Sequence, residues 1–328
     1  MTEPVTDNDS DSSHDPSAGP DAEPSPDPDI DPSLESLFRE GFGFTWGETD
    51  ETTWLRSDEG DYKRVHPAFF GQLRDLADGR TDPSTHDERV RRTVALLYEE
   101  GYLRPGEDVA HHETPEDIRL APRFGLFAAT VAVFAAAITV RWPEIRALPA
   151  DLEFGTGLAL VVLPVLLGSI AIHEASHYVP SRRYFDPTIR FGLLNGVIPA
   201  IITRTTDAWQ CPRNVRIWIS AAGPFADVVV ATGFALAFVV VPGQPILGFL
   251  ALVIAARAVF VLNPLLEGDG YWILVDAMGW HNLRSRGFRD LRDLTTSWPA
   301  AYALLVVVFT VVFVVLNVVI LATVFGVV

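Results

Sequence analysis

The stretch FGTGLALVVLPVLLGSIAIHEASHYV, residues 154–179, decides what kind of fold this chain can adopt. From Phe154 to Ile172 it carries no charge, over a length close to the ~20 residues that cross a bilayer core. It then runs straight into His173, Glu174 and His177. Ionisable side chains within or at the end of a membrane span are costly and usually functional. On a helix, His173 and His177 are four residues apart and share one face. Two imidazoles placed so can both reach a zinc ion at about 2.0–2.1 Å. Glu174 lies one residue further and about 100° round the axis. It would sit beside the metal without ligating it, ready to take a proton from activated water. The blander alternative is a helix end whose polar residues merely meet water.

Four more apolar stretches accompany this one, at 124–140, 218–241, 245–263 and 300–324. The first lies between Arg123 and Arg141. The pattern predicts a mainly α polytopic membrane protein of about five transmembrane helices. Between the second and third stretches, TIRFGLLNGVIPAIITRT places Asn195-Gly196 between apolar runs, a strong hairpin signal. A small β-hairpin at the membrane surface is expected, over about 189–194 and 197–203; the alternative is an interfacial or re-entrant loop. Basic residues concentrate in two segments: Arg182, Arg183, Arg190, Arg204, Arg213 and Arg216 in 179–216, and Arg284, Arg286, Arg289 and Arg292 in 281–292. The positive-inside rule then places the N-terminus and the HEASH end in the cytoplasm. The expected location is a multi-pass position in the cell membrane, with the lipid bilayer as the chain's first partner.

The charge is concentrated outside these stretches. Residues 1–35 hold eleven Asp and Glu, seven Pro and no Lys or Arg, which supplies −11 of the net −17. Such a segment cannot bury enough apolar surface to offset its ordering entropy, so a disordered acidic tail is expected over 1–50. It lacks the basic and apolar regions of a signal peptide, which leaves insertion to the first membrane helix. The acidity argues against nucleic-acid binding. Lys63 is the only lysine, and acid-rich, lysine-poor usage resembles that of a salt-adapted proteome. Cys211 is the only cysteine, which excludes an intrachain disulfide and a cysteine-based zinc site.

Residues 51–110 read as a small soluble unit: a strand, three short helices and a closing turn. In VRRTVALLYEEGYL, Val94, Leu96, Leu97 and Leu103 mix with charge and Gly101 is the expected C-cap. His111 and His112 point apart on any regular element and read as part of a juxtamembrane loop. The unit is winged-helix-like and loosely resembles PqqD-like domains, which implies peptide binding; a helical cap without a ligand is the alternative.

A catalytic zinc takes three protein ligands and keeps one position open. HEASH supplies two. VLNPLLEGDGYWIL (261–274) offers the third. Pro264 should end the preceding helix. Asp269 then stands between Gly268 and Gly270, whose backbone freedom would bring the carboxylate close to a metal. Glu267 is the competing ligand, and an Asp269 that only caps a turn is the bland reading.

HEASH together with NPLLEGDGYWIL resembles the site-2 protease class of intramembrane zinc metalloproteases. It is most similar to the peptide zinc metalloprotease branch that carries an N-P-x-x-x-x-D-G-Y element. The likeness covers about 154–280, within a metalloprotease domain drawn at 120–328. It implies one zinc per chain, with His173, His177 and Asp269 as ligands and Glu174 as catalytic acid/base. It also implies a zinc endopeptidase acting on a membrane-protein or peptide substrate at the cytoplasmic membrane face. Gly223-Pro224-Phe225-Ala226-Asp227 resembles the family's G-P-x-x-N, with Asp for Asn. An ionised Asp cannot donate a hydrogen bond as Asn does, and pairing of Asp227 with Arg257 is the expected use. Small Ala221, Ala222 and Gly223 should let helices pack closely. The competing functional reading is a non-catalytic membrane component that binds peptide or metal; retention of Glu174, which a plain zinc site does not need, argues against it. An ion transporter would fit the buried charges but lacks a visible two-half repeat.

Overall fold

The computed structural model describes residues 32–50, 52–152, 155–194, 198–280 and 282–324. The acidic residues 1–31, expected to be disordered, lie outside the described part.

Order begins earlier than the composition of 1–50 suggests. Helix α1 (Pro32–Glu40) and strands β1 (Phe42–Gly43) and β2 (Thr45–Thr49) all fall inside that stretch. Leu37, Phe42 and Phe44 supply the apolar surface that the acidic residues lack. They are buried in one core with Leu55, Leu73, Val94 and Leu97. Strands β3 (Thr52–Arg56) and β4 (Tyr62–Val65) continue an antiparallel meander from β2. Helices α2 (Pro67–Ala77) and α3 (Glu88–Glu99) follow, with a 3-10 turn at Pro83–Thr85 between them. Thus 51–110 holds two helices and a turn rather than three helices. Pro67 starts α2 where a missing N–H costs nothing, and the His66 ring caps it. Gly101, at φ +74, follows the end of α3, as expected of a C-cap glycine.

Strand β5 (Arg104–Pro105) pairs with β1, and β6 (Ala110–His112) pairs with β2 in parallel. The four-stranded order is β4-β3-β2-β6. His111 and His112, expected in a loop, are therefore strand residues. His111 lies opposite Trp46, with ring centroids 4.4 Å apart. The aromatic contact holds on the sheet a segment that charge alone would leave as a linker.

The remainder is a helical bundle: α4 (Leu120–Val140), α5 (Trp142–Asp151), α6 (Thr156–Ser181), α7 (Arg213–Val240), α8 (Pro245–Val261), α9 (Asp269–Met278), α10 (Leu283–Arg292) and α11 (Trp298–Val324). Four helices are long and apolar enough to cross a membrane, by length and composition: 120–140, 157–181, 213–240 and 298–320. The expected fifth, α8, has only 17 residues. At 1.5 Å per residue it reaches about 25 Å, short of a ~30 Å hydrocarbon core.

Helix α7 is the centre of the bundle and packs against α4, α6, α8 and α9. Its buried residues include Ala221, Ala222, Gly223, Ala226, Ala231 and Ala235, so backbones approach closely. Outward faces are apolar instead. Leu160, Leu163 and Leu167 on α6, and Val311, Leu316 and Val319 on α11, are all about half exposed or more. Contiguous apolar surface of this extent suits hydrocarbon better than water.

The expected hairpin is present. Strand β7 (Thr188–Leu194) pairs antiparallel with β8 (Ile198–Arg204), in the register Thr188↔Arg204 to Leu194↔Ile198. The Asn195-Gly196 turn itself lies outside the described residues. A 3-10 segment, Thr206–Gln210, links β8 to α7 and carries the N-terminal unit. Asp207 accepts from Arg56 at 3.2 Å and from the Tyr62 hydroxyl at 2.9 Å. Arg216, buried near the start of α7, pairs with Asp50 of the N-terminal unit at 3.2 Å and with Asp276 of α9 at 2.7 Å. Cys211 is buried in the same region, and burial pushes its thiol up to about 12, which leaves it an unreactive packing residue.

Candidate metal centre

Helix α6 does not stop where the apolar run stops. It continues through HEASH to Ser181, whose hydroxyl donates back to the His177 carbonyl at 2.7 Å. His173 and His177 therefore lie one turn apart on a continuous helix, both buried against α7. Residues 262–268 return the chain from α8 to the same place. The Leu265 N–H donates to the Asn263 side chain at 3.0 Å, and the Tyr302 hydroxyl on α11 donates to the Pro264 carbonyl at 2.8 Å. Asp269 is the first residue of α9.

The flanking glycines act by size rather than by backbone freedom. Neither has a positive φ. A Cβ at Gly270 would lie 2.1 Å from the Leu262 carbonyl oxygen, so only glycine lets α9 start this close to the end of α8. For Gly268 nothing in the packing requires a glycine; its nearest neighbour would be 3.7 Å away.

His173, His177 and Asp269 each offer one ligand atom, and these atoms lie within 4.8 Å of one another. The hydrogen bonds around the rings fix which atoms face inward. The Ile219 carbonyl can only accept, so the 2.7 Å contact makes His177 Nδ1 the donor. Asp227 is paired with the Arg257 guanidinium through Oδ1, and its Oδ2 lies 2.9 Å from His173 Nδ1, which makes that nitrogen the donor too. In the neutral rings both Nε2 atoms then carry lone pairs. They stand 3.2 Å apart, and the Asp269 carboxylate lies 3.2 Å from one and 3.4 Å from the other. Three acceptors that converge in a buried place repel one another unless a cation lies among them. This donor set of two imidazoles and one carboxylate suits zinc.

Gly223 makes room for the rings. A Cβ there would lie 2.3 Å from His177 Nε2 and 2.6 Å from His173 Nε2. The Asp227–Arg257 pair expected from the sequence is present. Its second contact was not legible there. Asp227, 1 % exposed, holds the His173 ring in the manner of the carboxylate that backs a metal-bound histidine. The signal was an acid in an otherwise apolar helix, but its partner lies 54 residues away on another helix. Asp227→Ala is expected to weaken zinc affinity about 10–100-fold, with Asp227→Asn losing less because its Oδ1 can still accept from Nδ1. Competition against a fluorescent zinc chelator measures both, and an unchanged affinity in Asp227→Ala would remove Asp227 from the site.

Glu174 is half-buried and takes a different direction from the histidines. Its carboxylate accepts from the Thr203 backbone N–H at 3.0 Å and the Thr203 hydroxyl at 2.8 Å. Strand β8 thus lies against α6 at the residue beside the two histidines. Sequence reasoning had no signal for Thr203, because its contact spans a helix and a strand 29 residues on. Glu267, the competing third ligand, is not in the cluster and pairs with Arg284 at 3.5 Å. No family model, curated protein or solved structure matches the chain.

Proposed function

We propose that the chain is a zinc-dependent intramembrane endopeptidase of the site-2 protease type, a hydrolase that cuts peptide bonds at the cytoplasmic membrane face. One observation carries the reading: three acceptors, two of them buried and Asp269 half-buried, converge from α6 and α9 beside a glutamate that is one residue from the first ligand. His173 and His177 would hold the ion through Nε2 and Asp269 through its carboxylate. Zinc, when bound, is a Lewis acid that activates water and polarises a carbonyl. Asp227 and the Ile219 carbonyl keep both rings turned so that Nε2 is the free atom. Glu174 accepts the proton of the attacking water and delivers it to the leaving amine. Thr203 keeps that carboxylate hydrogen-bonded until substrate arrives.

A membrane helix hides its carbonyls in internal hydrogen bonds, so a substrate must be extended before it can be cut. The β7–β8 hairpin, which adjoins Glu174, offers a template for such a strand. The N-terminal unit would recruit a peptide or tail to it. The basic residues of 179–216 and 281–292 follow HEASH and Asp269 in the chain, and by the positive-inside rule they support a cytoplasmic position for that end.

The second reading is a non-catalytic membrane component that binds metal or peptide. The observation in its favour is the Thr203 contact, which gives Glu174 a structural use. Glu174→Gln separates the two. Under the protease reading, new chain termini near the cytoplasmic ends of membrane spans are found by mass spectrometry in cells with the wild type. Their formation falls by about 100-fold or more with Glu174→Gln, while zinc content stays the same. Identical termini in both cells would favour the binding component.

A further inference from the structure

A proline fixes the phase of the β7–β8 hairpin. In an antiparallel pair, opposite residues alternate between those that exchange backbone hydrogen bonds and those that do not. Pro199, opposite Leu193, has no N–H to exchange, so this pair is of the second kind. Ile201, opposite Phe191, and Thr203, opposite Ile189, lie at even steps along β8 and share that phase. Their N–H and C=O groups therefore point away from β7, along the outer edge of β8. An independent contact agrees: the Thr203 N–H donates to the Glu174 carboxylate on α6 at 3.0 Å.

This outer edge is the one to which a further strand can add. Pro199 offers it no donor, and the Thr203 donor is taken by Glu174. The Thr203 hydroxyl lies 2.8 Å from the same carboxylate oxygen, Oε2, and 3.2 Å from the Glu174 carbonyl. Both lone-pair sites of Oε2 are thus filled, and the two bonds fix the direction of the side chain. That direction is toward β8. The atoms that converge within 4.8 Å of one another come from His173, His177 and Asp269, without Glu174. One backbone donor therefore has two claimants: the glutamate beside the metal ligands, and any strand that pairs with β8.

We propose that Thr203 is a substrate-operated latch on Glu174. In the resting protein it holds the carboxylate against β8. An extended peptide that pairs with the outer edge of β8 takes the Thr203 N–H through its own carbonyl and frees the carboxylate to turn toward His173 and His177. The inference rests on the protease reading and adds to it the condition under which the base is released. Thr203 is a positioning residue, since it acts through Glu174. Compounds too short to pair with β8 meet a held base, which restricts the site to extended polypeptide.

The test uses the full chain in detergent, loaded with zinc and titrated with acetohydroxamate. A hydroxamate chelates zinc and can donate its hydroxyl proton in a hydrogen bond to a neighbouring carboxylate, and this one is too short to pair with a strand. Thr203→Val keeps the β-branched shape and the backbone N–H and removes the hydroxyl. It is expected to bind acetohydroxamate about tenfold more tightly than the wild type, the worth of one hydrogen bond to a charged group. Thr203→Ser, which keeps the hydroxyl, is expected to match the wild type, and in a Glu174→Ala background Thr203→Val is expected to change nothing. Zinc content checks folding. Equal or weaker binding in Thr203→Val, which is what a purely structural threonine would give, overturns the latch alone. Acetohydroxamate that binds neither the wild type nor Thr203→Val overturns the open zinc position, and the protease reading with it. In cells, the Glu174-dependent new termini are expected to come from more proteins with Thr203→Val than with the wild type; an unchanged or smaller set would overturn release by pairing.

Discussion

Purified in detergent, the chain is expected to carry about one zinc ion, and both His173→Ala and Asp269→Ala are expected to lose it. The two residues come from different helices, α6 and α9, and lie 3.2 Å apart only because α8 and the 262–268 turn return the chain to the histidines. Removing either leaves two ligands of three. Outer-shell partners alone are worth about 10–100-fold in affinity, and a direct ligand is worth more. Elemental analysis of the three proteins reads the result without any substrate. Zinc lost in both variants joins the two motifs into one centre. Zinc retained in Asp269→Ala would place the third ligand elsewhere, with Glu267 next in line once its pairing with Arg284 is broken.

The second large effect is expected from the smallest change, Gly223→Ala. The added methyl would lie 2.3 and 2.6 Å from the two Nε2 atoms, well inside contact distance. Helix α7 is packed on several sides, so it cannot step back without disturbing α4, α8 and α9. The imidazoles cannot turn without breaking their bonds to Asp227 and Ile219. Overpacking of this kind costs about 1–3 kcal/mol, and here the methyl also takes the space on which the ligand atoms converge. Gly223→Ala is therefore expected to lower the unfolding temperature and abolish zinc binding. Gly233→Ala, ten residues further along the same helix with nothing within 4 Å of the new methyl, is expected to do neither. Wild-type zinc affinity in Gly223→Ala would mean that α7 does not approach the histidines as described.

Much of this centre was legible in the chain as written. The four-residue spacing of His173 and His177 fixes a shared face on any helix. An apolar run of spanning length makes α6 a helix. Apolar length also identified α4, α7 and α11, and Asn195-Gly196 identified the hairpin between β7 and β8. These are local properties, set by residues within a few positions of one another. Hydropathy marked five apolar stretches, but it does not show where Pro245 starts a helix and the Leu262 turn ends it, and α8 has only 17 residues. Composition placed the order boundary near residue 50, because average acidity outweighed the three apolar residues Leu37, Phe42 and Phe44 that reach the core.

What only the tertiary structure decided is which distant groups meet. The Asp227–Arg257 pair was within reach of sequence reasoning because both residues are costly alone in apolar helices. That Asp227 also aligns His173, that Thr203 holds Glu174, and that Gly270 and Gly223 serve by lacking a Cβ depend on how helices pack in space. The same holds for Arg216, shared between Asp50 and Asp276 from two parts of the chain. Periodicity and motif spacing encode the direction of a side chain relative to its own helix axis. They carry no information on the distance between two axes, and that distance sets every contact on which this metal centre relies.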